Sequence, residues 1–306
     1  MDGAIVTRGL AKRFGDHMAV DGLDLDVAPG EVFGFLGPNG AGKTTTIRML
    51  LDLIRPTGGT ATVLGLDPRR DGVTLRARIG YLPGDLTMPE RLTGREYLAD
   101  LAALRGGDLR ARSEELAERL DADLARPIGH LSMGNRRKIG MIGALMHQPD
   151  LLVLDEPTGG MDPLVQQTFR SLARDAAAEG RTVFLSSHVL DEVQHVADRV
   201  AVLREGRLVT EDRVDALLAR LARTFRVSFS VAPPAGALDR VPGVSEVRAG
   251  RSAEELLVVI EGPSGPFIEA VAPLAPLDVH STEPDLEDVF LSYYRAPGSG
   301  GDGSAT

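Results

Sequence analysis

The stretch Gly37-Pro38-Asn39-Gly40-Ala41-Gly42-Lys43-Thr44 constrains this chain more than any other. It fits G-x-x-x-x-G-K-[ST], a loop whose consecutive backbone N–H groups turn inward on phosphate oxygens. An apolar run, Val32 to Leu36, precedes it, and Thr44 to Ile54 follows with helical spacing. A plain Gly-rich turn is the competing reading, and the strand before and helix after weigh against it. The helix also adds its positive N-terminal end to the loop's amides. The expected phosphate-binding set is Gly37, Pro38, Asn39, Gly40, Ala41, Gly42, Lys43, Thr44 and Thr45. Lys43 is expected to reach the β- and γ-phosphates, and the Thr44 hydroxyl to ligate Mg²⁺.

A second signal lies downstream. Leu151-Leu152-Val153-Leu154-Asp155-Glu156 is an apolar strand that ends in two carboxylates. Parallel strands present their C-terminal ends to the ligand crevice. Asp155 is therefore expected to hold Mg²⁺ through water, and Glu156 to polarise an attacking water as general base. Many buried strands end in an acid that only caps a turn; the phosphate loop upstream favours the catalytic reading.

The remaining pattern frames these motifs. Ala4 to Leu10, Leu23 to Val27, Thr182 to Leu185 and Val200 to Leu203 read as strands, and Leu86 to Met146 reads as mostly helical. Thr93 with Glu96 fits a capping box. Pro163 to Glu179 reads as a helix with Asp162 as N-cap and Gly180 as its stop. Strands alternating with helices imply an α/β core with a largely parallel sheet. Beyond Leu221 the chain changes character: Phe225, Val227, Phe229 and Val231 alternate with polar residues, and a short helix starts near Phe267. Residues 1–221 are read as one domain with a helical subdomain at about 86–146. Residues 222–295 are read as a small α+β domain and 296–306 as a disordered tail.

Composition removes several functions. Asp and Glu total 44 against 34 Lys and Arg, a net charge of −10, which disfavours sequence-independent binding to nucleic acid or to anionic lipid. There is no cysteine, so disulfides, thiolate zinc sites and cysteine nucleophiles are excluded. No apolar run approaches the ~18–20 residues that span a bilayer, and the start, MDGAIVTRGL, lacks the pattern of a secretory signal. The expectation is a soluble cytoplasmic chain that meets a membrane only through a partner.

The segment Leu131-Ser132-Met133-Gly134-Asn135-Arg136-Arg137 resembles the signature of ABC ATPases, whose usual form is L-S-G-G-Q. Gly159-Gly160-Met161-Asp162 is similar to that family's D-loop, His188 to its switch histidine, and Phe14 to the aromatic that stacks on adenine. In order and spacing the resemblance covers residues 4–210 and is closest to the ATPase subunits of exporters. It implies a P-loop NTPase cassette that binds ATP with Mg²⁺ and hydrolyses it. It also implies a homodimer in which Ser132, Gly134 and Asp162 face the nucleotide of the other copy, working under a separate membrane-spanning permease subunit at the inner face of the membrane. Asp162 reads equally well as a helix cap; for His188 a turn histidine and for Phe14 a half-buried strand residue are the competing readings, and the family context favours the nucleotide roles.

The sequence departs from the family in places. Gly84 stands where the family usually has a glutamine that touches Mg²⁺ and the membrane partner; Asp85 is its neighbour. Met133 replaces a glycine, and Asn135 keeps the amide of the usual glutamine. Rival readings are a soluble ABC ATPase acting on ribosomes or DNA and a nucleotide-gated regulator with little turnover. One copy of each motif, the short span from Lys43 to Ser132 and the acidic charge argue against the first; Gly84 keeps the second open.

Overall fold

The computed structural model describes residues 3–219, 221–282, 286 and 287. It divides into two compact units, Met1–Asp212 and Arg213–Thr306. The sequence expectation sets the boundary after residue 221. The structure divides earlier because the chain leaves the main sheet there, its last strand ending at Arg213.

The first unit opens with β1 (Ile5–Phe14) and β2 (His17–Val27), followed by β3 (Val32–Leu36) and α1 (Lys43–Leu50). Next come β4 (Gly58–Val63), α2 (Gly72–Ala77) and β5 (Ile79–Leu82), then the helices α3 (Gly94–Arg105), α4 (Arg110–Leu120) and α5 (Met133–Leu145). The unit closes with β6 (Leu151–Asp155), α6 (Pro163–Ala178), β7 (Thr182–Ser187), α7 (Leu190–Gln194), β8 (Arg199–Arg204) and β9 (Arg207–Arg213).

Two sheets carry these elements. One is antiparallel, in the order β2-β1-β4; the other has the order β5-β6-β7-β3-β8-β9. From β5 to β8 its strands run parallel, with Leu82 beside Leu154, Asp155 beside Ser186, and Leu36 beside Ser187. β8 turns into β9 through Glu205 and Gly206, both at positive φ, as a tight hairpin requires. β3, β6 and β7 are buried along their whole length, which explains why they read as continuous apolar runs and not as alternation. The rings of Phe33 and Phe184 stack at 5.8 Å between neighbouring strands. Burying each such ring contributes roughly 1.5–3 kcal/mol.

In the helical segment, Thr93 accepts from the Glu96 N–H at 3.2 Å while the Glu96 carboxylate accepts from the Thr93 N–H at 2.8 Å, the expected capping box. Asp162 caps α6 by accepting from the N–H groups of Leu164 and Val165, with Pro163 at the first helical position. No helix among the described residues is long and apolar enough to cross a membrane.

The second unit begins with α8 (Val214–Ala219) and contains β10 (Arg223–Phe229), β11 (Val244–Ala249), β12 (Glu255–Ile260), α9 (Gly265–Val271) and β13 (Pro276–Thr282). Its antiparallel sheet has the order β11-β12-β10-β13. Phe225, Val227, Phe229, Val258 and Ile260 form its core with Phe267 and Val271 of α9, and the rings of Phe225 and Phe267 meet at 4.7 Å. Val231, expected to continue the alternation, lies beyond the end of β10 and is exposed. Leu286 is buried. Val289, Phe290 and Tyr293, which with Leu286 have the spacing of one helix face, and the expected tail 296–306 lie outside the described residues.

Candidate active site

The parallel register brings the C-terminal ends of β5, β6, β7 and β3 side by side. Each end delivers a site residue: Gly84 just after β5, Asp155 and Glu156 at β6, Ser186 and His188 at β7, and the phosphate loop after β3. This is the crevice where parallel sheets take ligands.

Within the loop, Gly42 adopts φ 105° and closes the turn onto α1. Lys43 is buried, and its ammonium donates to Gly37 O at 2.6 Å and Pro38 O at 3.2 Å. The same Nζ lies 3.4 Å from Glu156 Oε1. A buried ammonium needs such partners, since an unpaired charge there is costly. Phe14, His17, Ala19, the 38–45 loop and Glu156 line one cleft of about 330 Å³. The cleft therefore joins the expected adenine-stacking ring to the phosphate loop and the Glu156 carboxylate, the expected general base. Lys12 Nζ lies 4.9 Å from the centre of the Phe14 ring, a cation–π contact, and the ring is 49% exposed.

The Thr44 hydroxyl donates to Asp155 Oδ2 at 2.8 Å, and the Ser186 hydroxyl donates to Oδ1 of the same carboxylate. Asp155 is fully buried. Burial first, then the Asp155 charge, pushes the nearby Tyr81 phenol up to about 12, so it stays protonated at neutral pH. A hydroxyl beside a carboxylate oxygen is the hard donor set Mg²⁺ takes, with phosphate oxygens and water completing its shell.

Glu156 has a left-handed backbone, φ 51°, rare for a residue with a side chain. Its N–H donates to Ser186 O at 3.1 Å. His188 Nδ1 stands 2.7 Å from Glu156 Oε2, within hydrogen-bond reach, and its ring is half exposed. The arrangement places a carboxylate between a lysine, a histidine and the phosphate loop, where it can take a proton from water.

Ser132, Gly134 and Asp162 do not line this cleft. Ser132 is exposed at the start of α5, where its hydroxyl accepts from the Asn135 N–H at 3.2 Å. The Asn135 amide is itself engaged with the backbone of Asp123. Gly134 packs on the D-loop: a Cβ there would sit 3.1 Å from Gly160 O. At Gly84, a Cβ would stand 3.2 Å from Asp155 Oδ2. Asp85 is exposed, with its carboxylate 3.8 Å from Arg48.

Two neighbours of the site carry no role in the sequence reading. Ser186 fixes Asp155 and receives the Glu156 N–H, but a serine ending a buried strand carries no signal of its own. Arg137 reaches the backbone of residues 155–157 from α5, and burial pulls its guanidinium below the ordinary arginine value. Its sequence context, Asn135-Arg136-Arg137-Lys138 ahead of an apolar run, does not single it out from the cations on either side.

The chain is similar to known proteins in sequence and in fold. A family model described as ABC transporter matches residues 20–159. The daunorubicin resistance ATP-binding protein DrrA3 of Streptomyces coeruleorubidus is 42% identical over 223 residues, 71% of each chain. The Nod factor export ATP-binding protein I of Paraburkholderia xenovorans is 34% identical over 295 residues, 95% of this chain and 96% of its own. Among solved structures, an ATP-binding subunit of an ABC transporter superposes with TM-score 0.64 at 27% identity, covering 70% of this chain and 91% of that one. With sequence and fold in agreement with these relatives, the chain belongs to the ABC transporter family, as one of its ATP-binding, ATP-hydrolysing members.

Proposed function

We propose that two copies of this chain close around two ATP molecules, and that hydrolysis drives export through a separate membrane subunit. One observation carries the dimer. Ser132 and Gly134 begin α5 away from the chain's own nucleotide cleft, at a helix end suited to a phosphate. A second copy supplies that phosphate. Export is supported by the relative named for Nod factor export, which matches along 95% of this chain.

In this reading Lys43 binds the β- and γ-phosphates, Phe14 stacks on adenine, and the amides of residues 37–45 cradle the phosphates. Ser132, Gly134 and Asp162 complete the site from the partner copy. Thr44 and Asp155 hold Mg²⁺, which when bound neutralises phosphate charge. Glu156 takes the proton from the attacking water, and His188, hydrogen-bonded to Glu156, holds the γ-phosphate. Asp162 serves both as cap and as dimer contact.

The helical subdomain, residues 86–146, is the docking side for the permease. Support comes from a cavity of about 450 Å³ between α3 and α4, lined in part by Leu98, Ala99, Ala102 and Leu124. The permease would hold the chain at the inner face of the membrane. The small C-terminal unit, expected from the sequence at residues 222–295 and beginning at Arg213 in the structure, is proposed as a separable accessory domain.

The absence of cysteine makes cross-linking a clean test. A chain carrying Asn39→Cys and Ser132→Cys should form an inter-chain disulfide under mild oxidant when Mg-ATP is present. A cross-link indifferent to nucleotide, or none at all, contradicts the shared site. Co-expression with the membrane subunit should move the chain into the membrane pellet; a chain that stays in the supernatant contradicts the partnership.

A further inference from the structure

Arg137 lies early in α5 and is 8% exposed. Its guanidinium donates to backbone carbonyls: Nε to Pro157 O at 3.1 Å, Nη1 to Gly84 O at 3.3 Å, Nη2 to Asp155 O at 3.1 Å, and Nη2 also to Glu156 O. Three of these carbonyls are consecutive and bracket Glu156. A cation this buried is retained only where its donors are met. Here they are met by the very turn that carries the catalytic carboxylate.

That turn is strained. Glu156 sits at φ 51°, and a residue with a side chain stays in that region only when its surroundings over-determine it. Two contacts pin it. From β7, Ser186 O accepts the Glu156 N–H at 3.1 Å. From α5, Arg137 holds the carbonyls on either side. The same guanidinium holds Gly84 O, keeping that loop against Asp155, where a Cβ would stand only 3.2 Å from Oδ2.

We propose that Arg137 is a positioning residue for hydrolysis: by clasping the carbonyls of Asp155, Glu156 and Pro157 it fixes the left-handed turn that aims the Glu156 carboxylate. It also ties that turn to the helix that starts at Ser132, so the signature of each copy and its own catalytic carboxylate move as one piece. The planar fork is needed for this. A lysine ammonium keeps the charge but is a point donor on a flexible stem and cannot span the same carbonyls. The proposal rests on the reading of Glu156 as general base.

The test uses the full chain with Arg137→Lys, Glu156→Gln and the two combined, measuring fluorescent-ATP affinity, melting temperature, kcat and KM. Arg137→Lys should leave ATP affinity and KM within about two-fold of wild type and lower kcat by ~10-fold or more, because a small misplacement of a reacting group is enough for that. In the Glu156→Gln background the same change should have almost no further effect, since the residue acts through the carboxylate. A kcat for Arg137→Lys equal to wild type overturns the proposal. So does a loss that persists undiminished in the Glu156→Gln background, or a loss of ATP affinity and melting temperature together with turnover, each of which assigns Arg137 to folding alone. If Glu156→Gln by itself turns over ATP like wild type, the general-base reading fails and takes the proposal with it. If Glu156→Gln is slow and Arg137→Lys is fast, only the Arg137 proposal fails.

Discussion

His147 offers a prediction whose size follows from its surroundings. It follows Met146, the C-cap of α5, with Nε2 3.2 Å from Ile79 O and Nδ1 buried without a hydrogen-bond partner among the described residues. Burial, and then the Arg105 charge, pull its pKa from 6.5 to about 4. The folded chain thus keeps His147 neutral at pH 5, whereas the unfolded chain protonates it below about 6.5. The unfolded state then binds more protons, so stability falls as pH drops from about 6.5 towards 4. Between pH 7.5 and 5.0 the ceiling is ~2 kcal/mol, from 1.36 kcal/mol per pH unit below 6.5. Because the ring is only partly buried, solvent screening reduces this to ~1 kcal/mol. His147→Gln removes the titration and keeps a polar group of similar reach. Carboxylates elsewhere titrate alike in both proteins and cancel in the comparison. In thermal melts at the two pH values, wild type should lose ~2–4 °C more than the variant. Equal losses, or a larger loss in the variant, refute the reasoning.

The phosphate loop carries the other predictions. Lys43→Ala removes a buried ammonium held between Gly37 O, Pro38 O and Glu156, and should lower ATP affinity by ~10-fold or more, read by titration with a fluorescent analogue. Gly42→Ala sets a Cβ 2.5 Å from Ala19 O at φ 105°, so the loop must shift; ATP binding should be lost and stability fall by at least ~2 kcal/mol in urea unfolding. Gly40→Ala, at φ 82° with open space around its Cβ, should cost only ~1 kcal/mol and serves as the control.

What was legible in the sequence was local. The phosphate loop, the strand ending in Asp155 and Glu156, the Thr93–Glu96 box and the Asp162 cap each declare themselves within a few residues, because backbone amides and short side chains settle them. β4 was not visible: it starts Gly58-Gly59 and shows its side chains largely to solvent, so neither period nor propensity marks it. β11 is an edge strand carrying Glu246 and Arg248, which dilute its alternation. The site's long-range contacts were equally hidden. Ser186 and Arg137 reach Asp155 and Glu156 across 31 and 19 residues of chain, and only the folded sheet brings them together. Gly84 was singled out as a departure, but its closeness to Asp155 follows from β5 lying beside β6. The expected roles of Ser132 and Gly134 need a second copy, which a single chain's sequence does not contain.

In the proposed cycle one chain holds half of each working site, and Glu156 ends the closed state. Glu156→Gln keeps the shape of the carboxylate but makes a poor base, so ATP should bind and not be cleaved. Light scattering of this variant in Mg-ATP gives the most direct measurement. The expected mass is twice that of the 32.6 kDa chain, reverting to one chain when Mg-ATP is replaced by Mg-ADP. A variant that binds ATP with wild-type affinity yet stays at the single-chain mass contradicts it.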